Sequence, residues 1–418
     1  MQKQLILYIM IGKIMMVMRM NKLKKTRIAL GITQDEASDI LGISRRTYQK
    51  YEQLEDDLKV LVYEQKLANH NQKTLNIKFD DNKVIDYLKH LLSIDSTTGK
   101  CFEIEEDVYQ IVTKMGYYAY KTHKGGLIVE VGGEGNPLVV TGHLDDIGLM
   151  VRNVNNNGSL KVCTIGGLYA NYCLQENVRV YTRDNHIYHG TICRYPNSVH
   201  VTEDEIRKNV SDFNTNVCIV LDEDVKSKED VLKLGITTGD IIALDPKTVI
   251  NNGYIKSRFI DDKAACAIML YALEELKNIK LNRKIYFYFG LYEEIGHGTS
   301  YLPTDTKDIL AIDIAPTGDE QTTDLKKVSI FAKDSRFPYH YQMTNELRQC
   351  AINNGIDYVV DVFTPHYGTD CDTSIVAGYD VRHAAIGFGC DNSHGYERCH
   401  IEGLKQTYAL LMSYIKSE

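Results

Sequence analysis

The 418-residue sequence has no tryptophan, no CxxC pair among its ten cysteines, no apolar run long enough to span a bilayer and no excess of basic charge. The missing tryptophan excludes nothing by itself. The missing CxxC pairs exclude a zinc ribbon. Cysteines scattered at 101, 163, 173, 193, 218, 266, 350, 371, 390 and 399 form no disulfide framework either. Free thiols of this kind suit a reducing cytosol and the role of small buried hydrophobes. A formal charge of −8 argues against nucleic-acid binding over the whole surface, though not against a local basic element. The apolar stretch 5–18 is interrupted by Lys13 and falls short of the ~20 residues of a membrane span. No small-residue cleavage site follows it. Residues 1–19 therefore stand as an extension whose translation the sequence leaves open, because Met20 opens a coherent new segment. The expected location is the cytoplasm, with no membrane partner.

What is present is ordinary for a globular protein: 44 % hydrophobic and 25 % charged residues, in a chain long enough for two or three domains. The pattern divides it into a helix-turn-helix segment (20–55), a linker helix (56–76, with a helical run at 58–67), and an α/β region from residue 77 onward. Within that region, helices are expected at 84–94, 105–115, 262–276 and 402–416. Apolar strands are expected at 284–290 and 309–314. Strands at 127–131 and 138–141, joined by the glycine-rich turn 132–136, read as a hairpin and not as a phosphate loop. Short strands at 160–164, 178–181 and 217–221 mark a β-rich insertion, 153–247, inside a catalytic domain made of 77–152 and 248–418. The expected fold class is α/β with this small inserted domain, preceded by a small all-α module.

Four apolar, strand-like runs end in side chains that bind metals: Val139-Val140-Thr141-Gly142-His143-Leu144-Asp145, Phe259-Ile260-Asp261-Asp262-Lys263, Tyr286-Phe287-Tyr288-Phe289-Gly290 leading to Glu293-Glu294, and Ile309-Leu310-Ala311-Ile312-Asp313. His394 follows a fifth run, 384–388. In open α/β sheets such strand ends converge on one crevice. Histidine with carboxylates suits zinc, cobalt or manganese. His143 and Asp145, two apart in a strand, would share a face. Glu293 and Glu294 would diverge if extended, leaving one to bind metal and the other to take a proton from bound water. Alone, His-x-Asp is ordinary structure, Glu-Glu ordinary surface and Asp-Asp an ordinary helix cap. The conjunction carries the inference.

At these residues the sequence resembles the two-metal aminopeptidases of the M42 family, within the wider M20, M28 and M18 zinc-exopeptidase fold. The matching pieces are His143-Leu-Asp-Asp-Ile-Gly148, Ile260-Asp-Asp-Lys263, Glu293-Glu-Ile-Gly296, Ala311-Ile-Asp313, Gly368-Thr-Asp370 and His394-Gly-Tyr-Glu397. The resemblance covers roughly 77 to 418. It implies two divalent ions, zinc first with cobalt or manganese as alternatives, held by His143, Asp261, Glu294, Asp313 and His394, with Asp261 bridging. It also implies Glu293 as general base, Asp145 as supporting carboxylate, an apical-like role for the insertion and homo-oligomerisation. The chain departs from the family where Asp146 replaces the usual Glu, where Lys263 replaces the usual Arg, and in the spacing from His394 to the next Glu. Substrate preference is therefore not carried over.

Residues 20–52 hold seven Lys and Arg against four Asp and Glu. Thr33 with Glu36 forms a capping-box pattern, Gly42 a tight turn, and Ser44 a second cap. Arg45, Arg46, Gln49 and Lys50 would face a DNA groove while Ile43, Thr47 and Tyr51 pack inward. This segment resembles the helix-turn-helix of the XRE and Cro-type repressors, which implies double-stranded DNA as a partner. The combined expectation is a metal-dependent aminopeptidase acting on peptides, with an appended DNA-binding module. The alternatives are a transcriptional regulator that senses peptides without cleaving them, and a deacylase of acylated amino acids.

Overall fold

A computed structural model describes residues 22–416 except 31, 55–58, 61, 65, 66, 68–76, 197 and 205–207. The extension 1–19 lies outside the described residues, as does part of the linker helix, of which 59–60 and 62–64 are helical. The chain divides into two compact units, residues 1–76 with 349–356, and residues 77–348 with 357–418. No helix among the described residues is long and apolar enough to cross a membrane.

In the first unit, α1 (Lys22–Leu30), α2 (Gln34–Leu41) and α3 (Arg45–Tyr51) follow one another. The Thr33 hydroxyl accepts the Glu36 N–H at 3.2 Å, and the Glu36 carboxylate accepts the Thr33 N–H at 2.7 Å, so the capping box is complete. Gly42 ends α2 in the left-handed region at φ 65°, a conformation that favours glycine. Ser44 caps α3 through the Thr47 N–H. Leu23, Ala37, Leu41, Tyr48, Val60 and Leu67 form the core, with Ile43 and Tyr51 partly buried against it. The inward face of α3 thus centres on Tyr48 and not on Thr47. The Thr47 hydroxyl is drawn instead to Ser44 at 2.8 Å, while the Tyr48 hydroxyl reaches the buried Glu52.

The second unit opens with α4 (Asp81–Leu92) and α5 (Phe102–Lys114), then β1 (Tyr118–Lys121), β2 (Leu127–Gly132) and β3 (Leu138–His143). Strands β4 (Gly148–Val154), β5 (Leu160–Ile165), β6 (Asn177–Tyr181), β7 (Ile187–Arg194), β8 (Val217–Leu221) and β9 (Ile241–Leu244) close into a barrel, with α6 (Lys228–Lys233) between the last two. Then come β10 (Val249–Asn251), β11 (Tyr254–Ser257), α7 (Ile260–Leu276), β12 (Ile285–Gly290), β13 (Asp308–Pro316) and β14 (Val328–Lys333). Helix α8 (Tyr341–Asn354), β15 (Tyr358–Val362), α9 (Asp370–Val376), β16 (Arg382–Cys390), β17 (Glu397–His400) and α10 (Ile401–Lys416) complete the chain.

The main sheet has eight strands in the order β1-β2-β12-β3-β13-β16-β14-β15. The expected hairpin of β2 and β3 does not form. Strand β12 is buried at every residue, and such a run is stable only in a sheet interior. It inserts between them, antiparallel to β2 (Phe287↔Val129) and parallel to β3 (Phe287↔Val140). The glycine-rich segment is still a turn: a Cβ on Gly133 would lie 1.8 Å from the Arg283 carbonyl oxygen. Strands β12, β3, β13 and β16 are consecutive neighbours, all parallel. Their carboxyl ends therefore open on one side. Helix α7 is buried along nearly its whole length and lies against β3, where the Cys266 thiol donates to the His143 carbonyl.

Candidate metal centre

His143 ends β3, Glu293 and Glu294 follow β12, Asp313 lies in β13, and His394 follows β16. Asp261 enters from the start of α7, across a cis peptide to Asp262. The two oxygens of Asp261 face different histidines: Oδ1 is 3.2 Å from His143 Nε2, and Oδ2 is 3.7 Å from His394 Nε2. Glu294 stands 3.4 Å from His394 Nε2, and Glu293 stands 3.8 Å from His143 Nε2. The two glutamates do diverge, although they lie in a 3₁₀ turn and not in extended chain. Ligand atoms of His143, Asp261 and Glu294 lie within 4.8 Å of one another, as do those of His143, Asp262 and Asp313.

Each imidazole is oriented from behind. Nδ1 of His143 meets the Asp145 carbonyl at 3.0 Å, and Nδ1 of His394 meets the Gly167 carbonyl at 3.1 Å. A carbonyl only accepts, so Nδ1 is the donor in each ring, which leaves Nε2 on the side of the carboxylates and, when that ring is neutral, open to a metal. Asp145 stands behind His143, with its Oδ1 3.6 Å from Nδ1. It lies beyond the end of β3, so strand alternation does not apply. Its main-chain oxygen steadies His143, while its carboxylate accepts the Glu293 N–H at 3.2 Å and the Thr98 hydroxyl at 2.8 Å.

The donor set fits divalent cations. Burial, with repulsion from Asp313 and Asp370, pushes the Glu293 carboxyl well above the carboxylate range, although His143 opposes it. Burial and Asp261 do the same to Glu294, and burial and Asp261 to Asp313. Burial also works to raise Asp261, but the two histidines outweigh it and hold that carboxyl low. So many buried carboxyls cannot ionise together without added positive charge, which divalent ions would supply. One buried oxygen, Asp262 Oδ1, has no hydrogen-bond partner.

These groups line one side of a cavity of about 500 Å³, whose other walls include Ser335, Arg336, His366, Tyr367, Thr369 and Thr373. Arg336 was not singled out from the sequence. Its guanidinium makes no hydrogen bond or ion pair among the described residues, and it lies between Gly296 and Gly368. A Cβ on either glycine would come within 3.1 Å and 3.8 Å of it, respectively. Asp370, quoted only as part of a motif, accepts from the Thr141 hydroxyl at 3.0 Å and the Thr299 N–H at 3.1 Å, beneath the loop that carries the glutamates. In the first unit, Arg45, Arg46 and Lys50 are exposed on α3. Arg45 pairs with Asp35 at 2.9 Å, and Gln49 bonds to Gln34 at 3.0 Å.

A family model described as M42 glutamyl aminopeptidase matches residues 125–410, more than half of the chain. A helix-turn-helix model matches residues 23–60. The protein described as "Putative aminopeptidase YhfE" of Bacillus subtilis (strain 168) is 37% identical over 341 residues, which cover 80% of this chain and 98% of that protein. Among solved structures, aminopeptidase APDkam598 from the archaeon Desulfurococcus kamchatkensis is similar at a TM-score of 0.73 and 24% identity, over 81% of this chain and 96% of the other. The TET1 peptidase of Pyrococcus horikoshii, described as able to assemble into a tetrahedron or a large octahedral shell, is similar at a TM-score of 0.71 and 23% identity. That match covers 80% of this chain and 100% of the other. Both structural likenesses speak to the fold.

Proposed function

The chain belongs to the M42 family and is a metal-dependent aminopeptidase with an appended helix-turn-helix module, and on that footing we propose how its site works and on what. Two divalent ions, zinc first and cobalt or manganese next, would be held by His143, Asp261, Glu294, Asp313 and His394. Asp261 would be the shared ligand, and the observation that carries this reading is that its two oxygens face two different histidines. Bound there, the ions would supply a water of lowered pKa and a Lewis acid for the scissile carbonyl. Glu293 takes the proton from the attacking water and returns it to the leaving amine. Asp145 fixes that base by accepting its main-chain N–H. The acidic side of the cavity draws the free α-ammonium of a peptide and so restricts cleavage to the amino terminus.

The first residue of the substrate is acidic in this reading. Arg336 is the one Lys or Arg in the cavity lining, and its guanidinium makes no hydrogen bond among the described residues, with only the charge of Asp372 nearby, so a substrate carboxylate is a natural partner. The glutamyl description of the family model agrees. The insertion mediates a homo-oligomer, as the assemblies described for the TET1 peptidase suggest. Ten free cysteines favour a cytoplasmic location. Arg45, Arg46, Gln49 and Lys50, on a helix capped by Ser44, meet double-stranded DNA.

The test is hydrolysis of aminoacyl-p-nitroanilides after chelation and after return of zinc, cobalt or manganese. Metal-dependent release is expected, fastest with glutamyl and aspartyl substrates. Glu293→Gln removes turnover and keeps both metals. Arg336→Ala lowers kcat/KM on the glutamyl substrate by roughly 10- to 100-fold, the worth of one charge-assisted contact, and leaves alanyl hydrolysis unchanged. Near-normal turnover by Glu293→Gln ends the proposed base. Silence across the panel with two metals bound points to a peptide sensor or a deacylase.

A further inference from the structure

One buried carboxylate in this unit has no part in the chemistry above. Glu397 opens β17 and is 2 % exposed. Its Oε2 accepts the main-chain N–H of Asp261 at 3.1 Å, and its Oε1 accepts the main-chain N–H of His394 at 3.1 Å. One side chain thus holds the backbone of two residues whose own side chains meet across the centre. Resting on the ligand assignment above, we propose that Glu397 is the positioning residue that makes the second metal position, the one framed by Asp261, Glu294 and His394.

The two positions are built unequally. His143 lies in the central sheet, 2 % exposed, and its N–H is held by Asp262. His394 sits on a loop between β16 and β17, with its side chain 34% exposed and its backbone at φ 61°, beside Asn392 at φ 59°. Non-glycine residues hold such angles only where the surroundings enforce them. Glu397 supplies that enforcement from one side. From the other, the buried Arg258 donates to the Gly395 carbonyl at 3.2 Å and to the Tyr172 carbonyl at 2.5 Å, and the Asp391–Arg398 bridge closes the loop. Strand β17 pairs with β11 at Glu397↔Ser257, four residues before Asp261, so the clasp sits beside the strand that leads into that ligand.

The charge type matters as much as the place. The N–H groups of Asp261 and His394 each take one carboxylate oxygen, with the Ile260 N–H also turned to Glu397, so two acceptor oxygens are needed. A glutamine offers one acceptor and turns its amide N–H₂ toward the other donor, while an alanine leaves both donors buried and unpaired. In either variant the Asp261 and His394 backbones relax apart, and the position that needs both loses its geometry before the one built on His143 and Asp313.

The measurement is zinc stoichiometry and stepwise affinity of the full chain in buffered free zinc, read by elemental analysis and calorimetry, for wild type, Glu397→Gln, Glu397→Asp and His394→Ala. Wild type is expected to bind two ions. Glu397→Gln weakens the second by roughly 10- to 100-fold, the usual loss for a group that orients ligands, and the first by clearly less, since only Asp261 is shared between them. Glu397→Asp, one methylene short of reaching both N–H groups, falls between; should the Gln variant not accumulate as folded protein, it carries the same comparison. His394→Ala loses the second ion. Wild-type binding of both ions by the Glu397 variants, or equal weakening of both, overturns the clasp while leaving the ligands standing. Retention of both ions by His394→Ala overturns the ligand assignment itself.

Discussion

Asp146 and Lys263 are two positions at which the chain departs from the family motif, and in the structure they meet. Lys263 Nζ lies 2.7 Å from Asp146 Oδ2, with both residues almost fully buried, and Nζ also donates to the Ile94 carbonyl at 3.0 Å. Burial pushes the Asp146 carboxyl up to about 6, against the pull of Lys263 and Ser96. Two substitutions that look independent in the sequence are one ion pair, tying the loop after β3 to the first turn of α7. Lys263→Met strands a buried carboxylate and should cost about 3–5 kcal/mol in urea unfolding. Combined with Asp146→Ala, the total should fall short of the sum of the single costs by at least ~1 kcal/mol; strictly additive costs would show that the pair does not act as a unit. The pairing was not legible beforehand because 117 residues separate its members. The same holds for the contacts of Glu397 and Arg258, whereas ligand-type residues at the ends of apolar runs announced themselves locally.

Among elements, the strand ends were legible and the strand neighbours were not. A buried parallel strand reads as an apolar run wherever it sits in the sheet, so nothing local to β2 and β3 said that β12 would part them. The opposite edge of the same strands carries a second charged group. Asp308, at the start of β13, accepts from Arg283 at 2.8 Å and from both Nε and Nη2 of Arg382 at 2.7 Å, the latter at the start of the paired β16. Burial works to raise the Asp308 carboxyl, but the hydrogen bonds from the two arginines prevail and hold it below the ordinary range. A carboxyl with a lowered folded-state pKa contributes stability above its unfolded value, and that contribution fades as pH falls toward the folded one. Asp308→Asn should therefore lose about 2–4 kcal/mol at pH 7, in keeping with a broken buried pair. The gap to wild type should narrow below about pH 4, the unfolded aspartate value. Since these residues sit at the amino ends of the strands, zinc stoichiometry should stay unchanged. A gap that is constant from pH 7 to pH 3.5 would argue that packing, and not the ion pairs, explains the loss.

For the whole molecule, the two units have separate cores of very different size. Among the described residues the helical unit's core is Leu23, Ala37, Leu41, Tyr48, Val60 and Leu67, locked by Glu52, which accepts from Arg27, Gln34 and Tyr48. The catalytic unit has an eight-stranded sheet, a barrel and the acidic centre. A core that small gives marginal stability, and metal binding stabilises only the unit whose native state holds the ion. Calorimetry of the full chain should then resolve two transitions. The upper one should rise on adding zinc, by an amount set by RT ln(1 + [L]/Kd). The lower one, belonging to the helical unit, should stay in place and respond instead to Glu52→Ala, which removes the shared acceptor and leaves the buried Tyr48 hydroxyl without its partner. Chelation would accordingly abolish peptide hydrolysis while DNA retention in a gel shift persists, with the steep salt dependence of phosphate contacts. If the lower transition follows zinc as closely as the upper one, metal occupancy and the helix-turn-helix are energetically linked. DNA affinity would then have to change with zinc, and zinc affinity with DNA, by the same factor.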